Sequence, residues 1–215
     1  MPVKMFTFND FQENTLVVYS DGEAIIIDPG CAYPHEEQAL KNFIEENGLR
    51  VKAVVNTHCH LDHVVGNPWA VETFRAPLLI HEKDLFLLKA APQVGMMWSF
   101  PVPEQPKPDA FLEEGDEIKV GSETWKVIYV PGHSPGHIAL YNPETKQIIS
   151  GDVIFVGSIG RTDLPGGDYT TLMNSIMKIL SLGDDITIYP GHGPTTTTGT
   201  EHQTNPFVID WLQRE

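Results

Sequence analysis

The sequence predicts a mixed α/β fold (α+β), with two β-sheets packed face to face and helices covering their outer surfaces. Three observations lead there. Strand-like segments come first and helical ones later, and this order occurs twice along the 215 residues. Hydrophobic residues make up 41% of the chain, enough to fill a core of that size. No Gly/Ser-type linker or short-period repeat divides it, so residues 1–215 are expected to form one domain of two βα-rich halves.

In the first half, residues 3–8 and 14–19 carry β-branched and aromatic side chains and read as strands. Asp21-Gly22 supplies a hairpin turn before a third strand at 24–28. Over 35–47 the period becomes helical: Ala39, Leu40, Phe43 and Ile44 share one face, and Gly48 stops the helix. Residues 51–56 form a short buried strand that runs directly into Thr57-His58-Cys59-His60. A helix is expected over 64–74, with Pro68 near its start or at an irregularity. A strand at 77–80 and a helix over 82–91 follow. The proline-rich stretch 92–109 reads as an extended loop. Within it, Met96, Met97, Trp98 and Phe100 offer an apolar face, either for a lid or for a satellite core cluster. The second half supplies strands at 117–120, 125–130, 138–141 and 147–150, with Asn142-Pro143 opening a turn. A helix over 170–182 and a last strand at 186–189 complete it.

Charge narrows the partners. Lys and Arg number 14 against 29 Asp and Glu, a net of −15, and such a surface repels phosphate backbones and anionic membranes. Neither nucleic acid nor a membrane is expected as a partner; a small molecule is. No apolar run is long enough to cross a bilayer, and residues 1–10 lack the charged-then-apolar pattern of an export signal. Cys31 and Cys59 are too few for a disulfide framework. A reducing cytoplasm is the expected compartment.

The chemistry concentrates at strand ends, where a rigid scaffold can aim side chains at a common point. Thr57-His58-Cys59-His60-Leu61-Asp62-His63 follows one predicted strand, and Pro131-Gly132-His133 follows another. Ser150-Gly151-Asp152 and Tyr189-Pro190-Gly191-His192 follow two more. Imidazole and carboxylate suit zinc and iron, and glycine beside three of these positions lets the backbone approach closely. Seven candidate ligands exceed the four that one tetrahedral zinc takes. They divide between two ions: His58, His60 and His133 for the first, Asp62, His63 and His192 for the second, with Asp152 bridging. Two divalent ions carry four positive charges and the two carboxylates cancel two; the surplus draws water toward hydroxide. Asp62 and Asp152 are accordingly the candidate catalytic carboxylates as well as ligands. Zinc is the expected metal, with iron or manganese also suited to the donor set.

The motif 58–63, with His133, Asp152 and His192 in that order, resembles the metallo-β-lactamase superfamily along the whole chain. The resemblance implies a four-layer αββα sandwich with the metals at one edge of the two sheets. Within the superfamily, the loop Gly157-Ser158-Ile159-Gly160-Arg161-Thr162-Asp163-Leu164-Pro165-Gly166-Gly167 and the tail 197–207 are similar to short glyoxalase II-type (hydroxyacylglutathione) hydrolases. That implies hydrolysis of a glutathione thioester such as S-lactoylglutathione. Longer members carry an additional C-terminal helical region that helps hold glutathione, and the residues up to Glu215 leave little room for it. A persulfide dioxygenase of the same fold would use one Fe(II) on His58, His133 and Asp152, and 161–163 resembles that group too. The alternative from another class is a non-enzymatic metal-binding module. Exported lactamases of this fold place Cys or Ser where Asp152 stands, and a nuclease would need basic surfaces.

Other residues carry weaker signals. Arg161 is either half of a surface salt bridge or a contact for a substrate carboxylate. His137 reads as a buried structural histidine, and Asp28 either orients a metal-binding histidine or forms a turn. Cys59 reads as packing. His35, His81 and His202, outside any motif, are expected in surface or capping roles.

Overall fold

The computed structural model describes residues 3–214, and its strands follow the alternation of the sequence. β1 (Val3–Phe8), β2 (Glu13–Ser20) and β3 (Glu23–Ile27) form an antiparallel meander. After it, α1 (Pro34–Glu46) crosses over and β4 (Arg50–Val55) joins β3 in parallel. Glu36 fixes the start of α1 by accepting from the backbone N–H groups of Asn9, Ala32 and Tyr33. α2 (Leu61–Val64) and α3 (Asn67–Phe74) lead to β5 (Leu78–Ile80), parallel to β4. One turn of 3₁₀-helix at Glu82–Asp84 then opens α4 (Leu85–Met97), and β6 (Ala110–Phe111) closes the edge. The first sheet therefore runs β1-β2-β3-β4-β5-β6.

The second sheet begins with β7 (Glu117–Val120), β8 (Glu123–Tyr129), β9 (Ile138–Asn142) and β10 (Gln147–Gly151), each antiparallel to the one before it. β11 (Ile154–Phe155) and β12 (Ser158–Ile159) make a small separate ribbon. α5 (Tyr169–Leu180) crosses to β13 (Thr187–Pro190), which lies parallel to β10, and β14 (Thr196–Thr197) adds the edge. α6 (Thr198–Thr204) and α7 (Pro206–Leu212) follow, each started by a side-chain cap, from Thr197 and Asn205 respectively.

Period-two alternation sorts the strands into layers. Leu16, Val18, Ile25, Ile27 and Val55 meet Trp125, Val127, Ile138, Leu140 and Ile149 between the two sheets. Val17, Ile26 and Val54, one residue out of phase, face Leu40, Ile44, Ala70 and Leu88 of the helices on the first sheet. Ile128, Ala139, Ile148 and Ile188 likewise face Leu172, Ile176 and Ile179 of α5. The result is the four-layer αββα sandwich that the resemblance implied.

Two expectations need correction. The helix expected over 64–74 is two helices, because the chain turns at Gly66 and Pro68 sits in the first turn of α3, where a missing N–H costs nothing. The loop expected from residue 92 begins only after Met97: α4 continues through Pro92. Leu88, Ala91 and Gly95 of that helix are buried on the first sheet, and this packing offsets the lost hydrogen bond. Its end splits the apolar face expected for residues 96–100. Phe100 joins the core, packed edge-on to Phe11 at 5.1 Å, whereas Met96, Met97 and Trp98 are exposed.

Candidate metal centre

Four strands end at one place. β4 runs out into His58 and His60, with Asp62 and His63 on the single turn of α2. β8, β10 and β13, which run in the same direction in the second sheet, deliver His133, Asp152 and His192. The backbone at Gly191 and Gly132 must be glycine for this to happen. A Cβ on Gly191 would lie 2.1 Å from Asp152 Oδ1, and one on Gly132 (φ +130°) would lie 2.2 Å from the Leu172 nitrogen. Contacts between sheets hold the ends together: Ile138 N donates to Thr57 O and Asn14 N to Gly191 O.

All seven sequence-predicted ligand candidates converge. Ligand atoms of His58, His60 and His133 lie within 4.8 Å of one another, and so do those of Asp62, His63 and His192. His60 Nδ1 and His133 Nε2 are 2.8 Å apart, and His63 Nε2 and His192 Nε2 3.3 Å. Asp152 lies between the groups, its Oδ2 3.5 Å from both His133 Nε2 and His192 Nε2 and 4.0 Å from His58 Nε2. Its Oδ1 is 3.5 Å from His63 Nε2. A tetrahedral zinc with bonds of about 2.0–2.2 Å spaces its ligand atoms roughly 3.3–3.6 Å apart.

The hydrogen bonds around the cluster test the fit. His63 Nδ1 faces Asp28 Oδ2 at 3.2 Å, and His133 Nδ1 faces the Arg161 carbonyl at 2.7 Å. His192 Nδ1 faces the carbonyls of Phe11 and Gln12, and His58 Nδ1 the Thr57 hydroxyl, whose own proton goes to Asp28. These acceptors take the Nδ1–H and leave each Nε2 facing inward, the orientation of metal-bound histidine. His58 Nε2 and Asp152 Oδ1 are buried there without a hydrogen-bond partner, a costly state that a cation relieves. The residues fit a dinuclear metal centre. Asp28, His58 and His63 also approach one another within 4.8 Å, but Asp28 is already committed to Thr57 N, Thr57 Oγ1 and His63.

Electrostatics divide the two groups. Burial pushes the imidazoles of His58, His60 and His133 down, His60 to about 3. Burial acts the same way on His63 and His192, but the neighbouring Asp62 and Asp152 outweigh it, and His192 is raised to about 10. Burial in turn opposes ionisation of Asp62 and Asp152, yet His63 and His192 hold both below the usual carboxylate range.

Several supporting residues gave no motif in the sequence. Asp84, fully buried, accepts from Cys59 N, Ser134 Oγ and Gly136 N, and so ties the loop of His58 and His60 to that of His133. Asn14 Nδ2 donates to Pro190 O and Gly193 O beside His192, and Asn9 Nδ2 to Asp62 O. Buried Glu13 lies 3.8 Å from His63 Nδ1. His137 stacks on His58 at 4.7 Å and accepts from Asp152 N, in keeping with a structural role. Cys59 packs in the core; His81 accepts from Lys83 N, His35 stacks on Tyr33, and His202 lies 4.0 Å from Asp184. Arg161 makes the surface pair, with Nε and Nη2 each 2.7 Å from Asp163, while also lining the cavity at the cluster.

The family model of the Metallo-beta-lactamase superfamily matches residues 8–192. The chain belongs to that superfamily. It is 39% identical to "Hydroxyacylglutathione hydrolase GloC" of Haemophilus influenzae over 97% of this chain and 98% of that one. Among superfamily structures it resembles the BLEG-1 B3 metallo-beta-lactamase, with a TM-score of 0.88, 36% identity and coverage of 96% and 99%. It also resembles TTHA1623 in a di-iron-bound form, with a TM-score of 0.86, 39% identity and coverage of 95% and 99%. Membership makes the chain hydrolase-like and metal-binding. No helix among the described residues is long and apolar enough to cross a membrane.

Proposed function

We propose that this superfamily member hydrolyses a thioester of a small thiol such as glutathione, with two zinc ions held in the centre. His58, His60 and His133 would hold one ion and Asp62, His63 and His192 the other, with Asp152 shared. The observation that carries the reading is that seven donors form two groups of three around one carboxylate. Bound there, the ions would supply the Lewis acidity that makes water nucleophilic near neutral pH and stabilises a developing oxyanion. Asp62 lines the cavity with its Oδ2 3.2 Å from His192 Nε2, and would take a proton from the attacking water. In the overall reaction the C–S bond breaks, the acyl carbon gains the hydroxyl of water and the thiol leaves with a proton. Full-length likeness to a hydroxyacylglutathione hydrolase supports this substrate class. Buried, unbridged Cys31 and Cys59 are in keeping with a reducing cytoplasm.

The test is metal analysis on protein purified without added metal, followed by S-lactoylglutathione hydrolysis and oxygen consumption on glutathione persulfide. Two zinc ions and thioester turnover are expected. One iron with oxygen uptake would replace this reading with the dioxygenase, and two ions with β-lactam turnover alone would replace it with a lactamase. His58→Ala and His192→Ala should both abolish turnover while emptying different ions.

A further inference from the structure

We infer that the cavity over the metal centre selects a bulky apolar acyl group, and that one stripe of α4 reads it. The inference rests on the hydrolase reading above and narrows its substrate class. The cavity holds about 430 Å³ and is lined by five of the seven ligand candidates, a volume in the range of small-molecule sites. Phe86, Ala90 and Val94, four residues apart on α4, line it together with Trp98 just beyond the helix end. That spacing puts them along one face. Phe11 and Leu164 complete the apolar wall.

What this wall lacks matters as much. Beyond the ligand candidates, Arg161 is the one charged side chain among the described residues lining the cavity, and Asp163 already engages its guanidinium through two bonds. Among the described residues, no hydroxyl, carboxamide or further carboxylate lines it. A lactoyl group is too short to reach along the stripe and would leave it uncovered. Phe86 is 46% exposed and Trp98 53%; both are large apolar side chains bordering a polar centre, and an aliphatic or aryl acyl chain would cover them. The charged parts of a thiol carrier then belong toward the open side of the cavity, away from α4.

The experiment keeps the carrier fixed and varies the acyl group, using acetyl, lactoyl, butyryl, hexanoyl and phenylacetyl thioesters of glutathione. The expected result is a rise in kcat/KM of roughly fourfold per added methylene, with hexanoyl at least tenfold above lactoyl. Phe86→Ser and Val94→Ser should flatten that slope; Phe86 is half-exposed, so its replacement should leave the fold intact. A second readout needs no turnover: binding of the thioethers S-methylglutathione and S-hexylglutathione, followed by tryptophan fluorescence with Trp98→Phe as the control. The hexyl compound should bind at least tenfold tighter. Thioester turnover that is flat or falls with acyl length, or equal binding of the two thioethers, would overturn the inference. Turnover of no thioester at all would sink the hydrolase reading instead, and the thioether pair would still decide what the cavity prefers.

Discussion

Asp152 touches both groups of histidines, and its replacement separates charge from shape. Asp152→Asn keeps the size and one oxygen but removes the negative charge that the second group of ligands shares. The protein should fold, hold fewer metal ions and lose more activity than the roughly 10–100-fold typical of residues that only orient ligands. Metal quantification alongside kcat checks this; two tightly held ions with wild-type kcat would refute the ligand assignment. The protonation pattern gives a second expectation. His60, depressed to about 3, is already neutral at pH 7, and burial also depresses His58 and His133. His192, raised to about 10, and His63, also raised, carry protons there that a metal must displace. The first ion should therefore bind with little proton release near neutrality, and the second should release protons. As pH falls from 8 to 6 the second affinity should drop while the first holds, since acid stabilises only the protonated pair. Calorimetric titration in buffers of different ionisation enthalpy measures both.

At the scale of elements, the 3₁₀ turn before α4 carries Asp84, which the loops of two different strands share. Asp84→Asn would set an amide N–H against a backbone N–H in a buried place, at a cost of about 1–3 kcal/mol. It should also weaken metal binding about 10–100-fold by loosening the loops of His58 and His133. Denaturant midpoints and a metal-competition assay read the two effects separately. The contrast with the ligand candidates explains what was legible in the sequence. His58 through His63 stand beside one another after a run of buried β-branched residues, so residue type and position along the chain suffice to find them. Asp84 stands in no motif, and its partners come from residues 59 and 134–136; Asn14 reaches 176 residues along the chain to Pro190. Such links exist only once the sheets are stacked. Pro92 misleads for the opposite reason. Local propensity ends the helix there, but the buried face of Leu88, Ala91 and Gly95 carries it on to Met97. The short strands β6, β11, β12 and β14 have two residues each, too few for a periodic signal.

For the whole molecule, three apolar layers form without any help from the candidate centre. Chelation should therefore leave the far-ultraviolet circular dichroism unchanged and lower Tm. An ion present at 100 times its Kd stabilises the folded state by about 2.7 kcal/mol, worth roughly 5–11 °C in a chain of this size. Loss of secondary structure on chelation would mean that the fold depends on metal. The donors also come from both sides of the connection between the two sheets: His58, His60, Asp62 and His63 precede it, and His133, Asp152 and His192 follow it. A chain divided genetically after Lys107, exposed in the loop between α4 and β6, would thus yield two fragments, each holding part of the donor set for each ion. Neither should hydrolyse anything alone. Mixed, they should regain activity in proportion to reassociation, and added metal should tighten the pair, because each ion would then tie together two separate polypeptides.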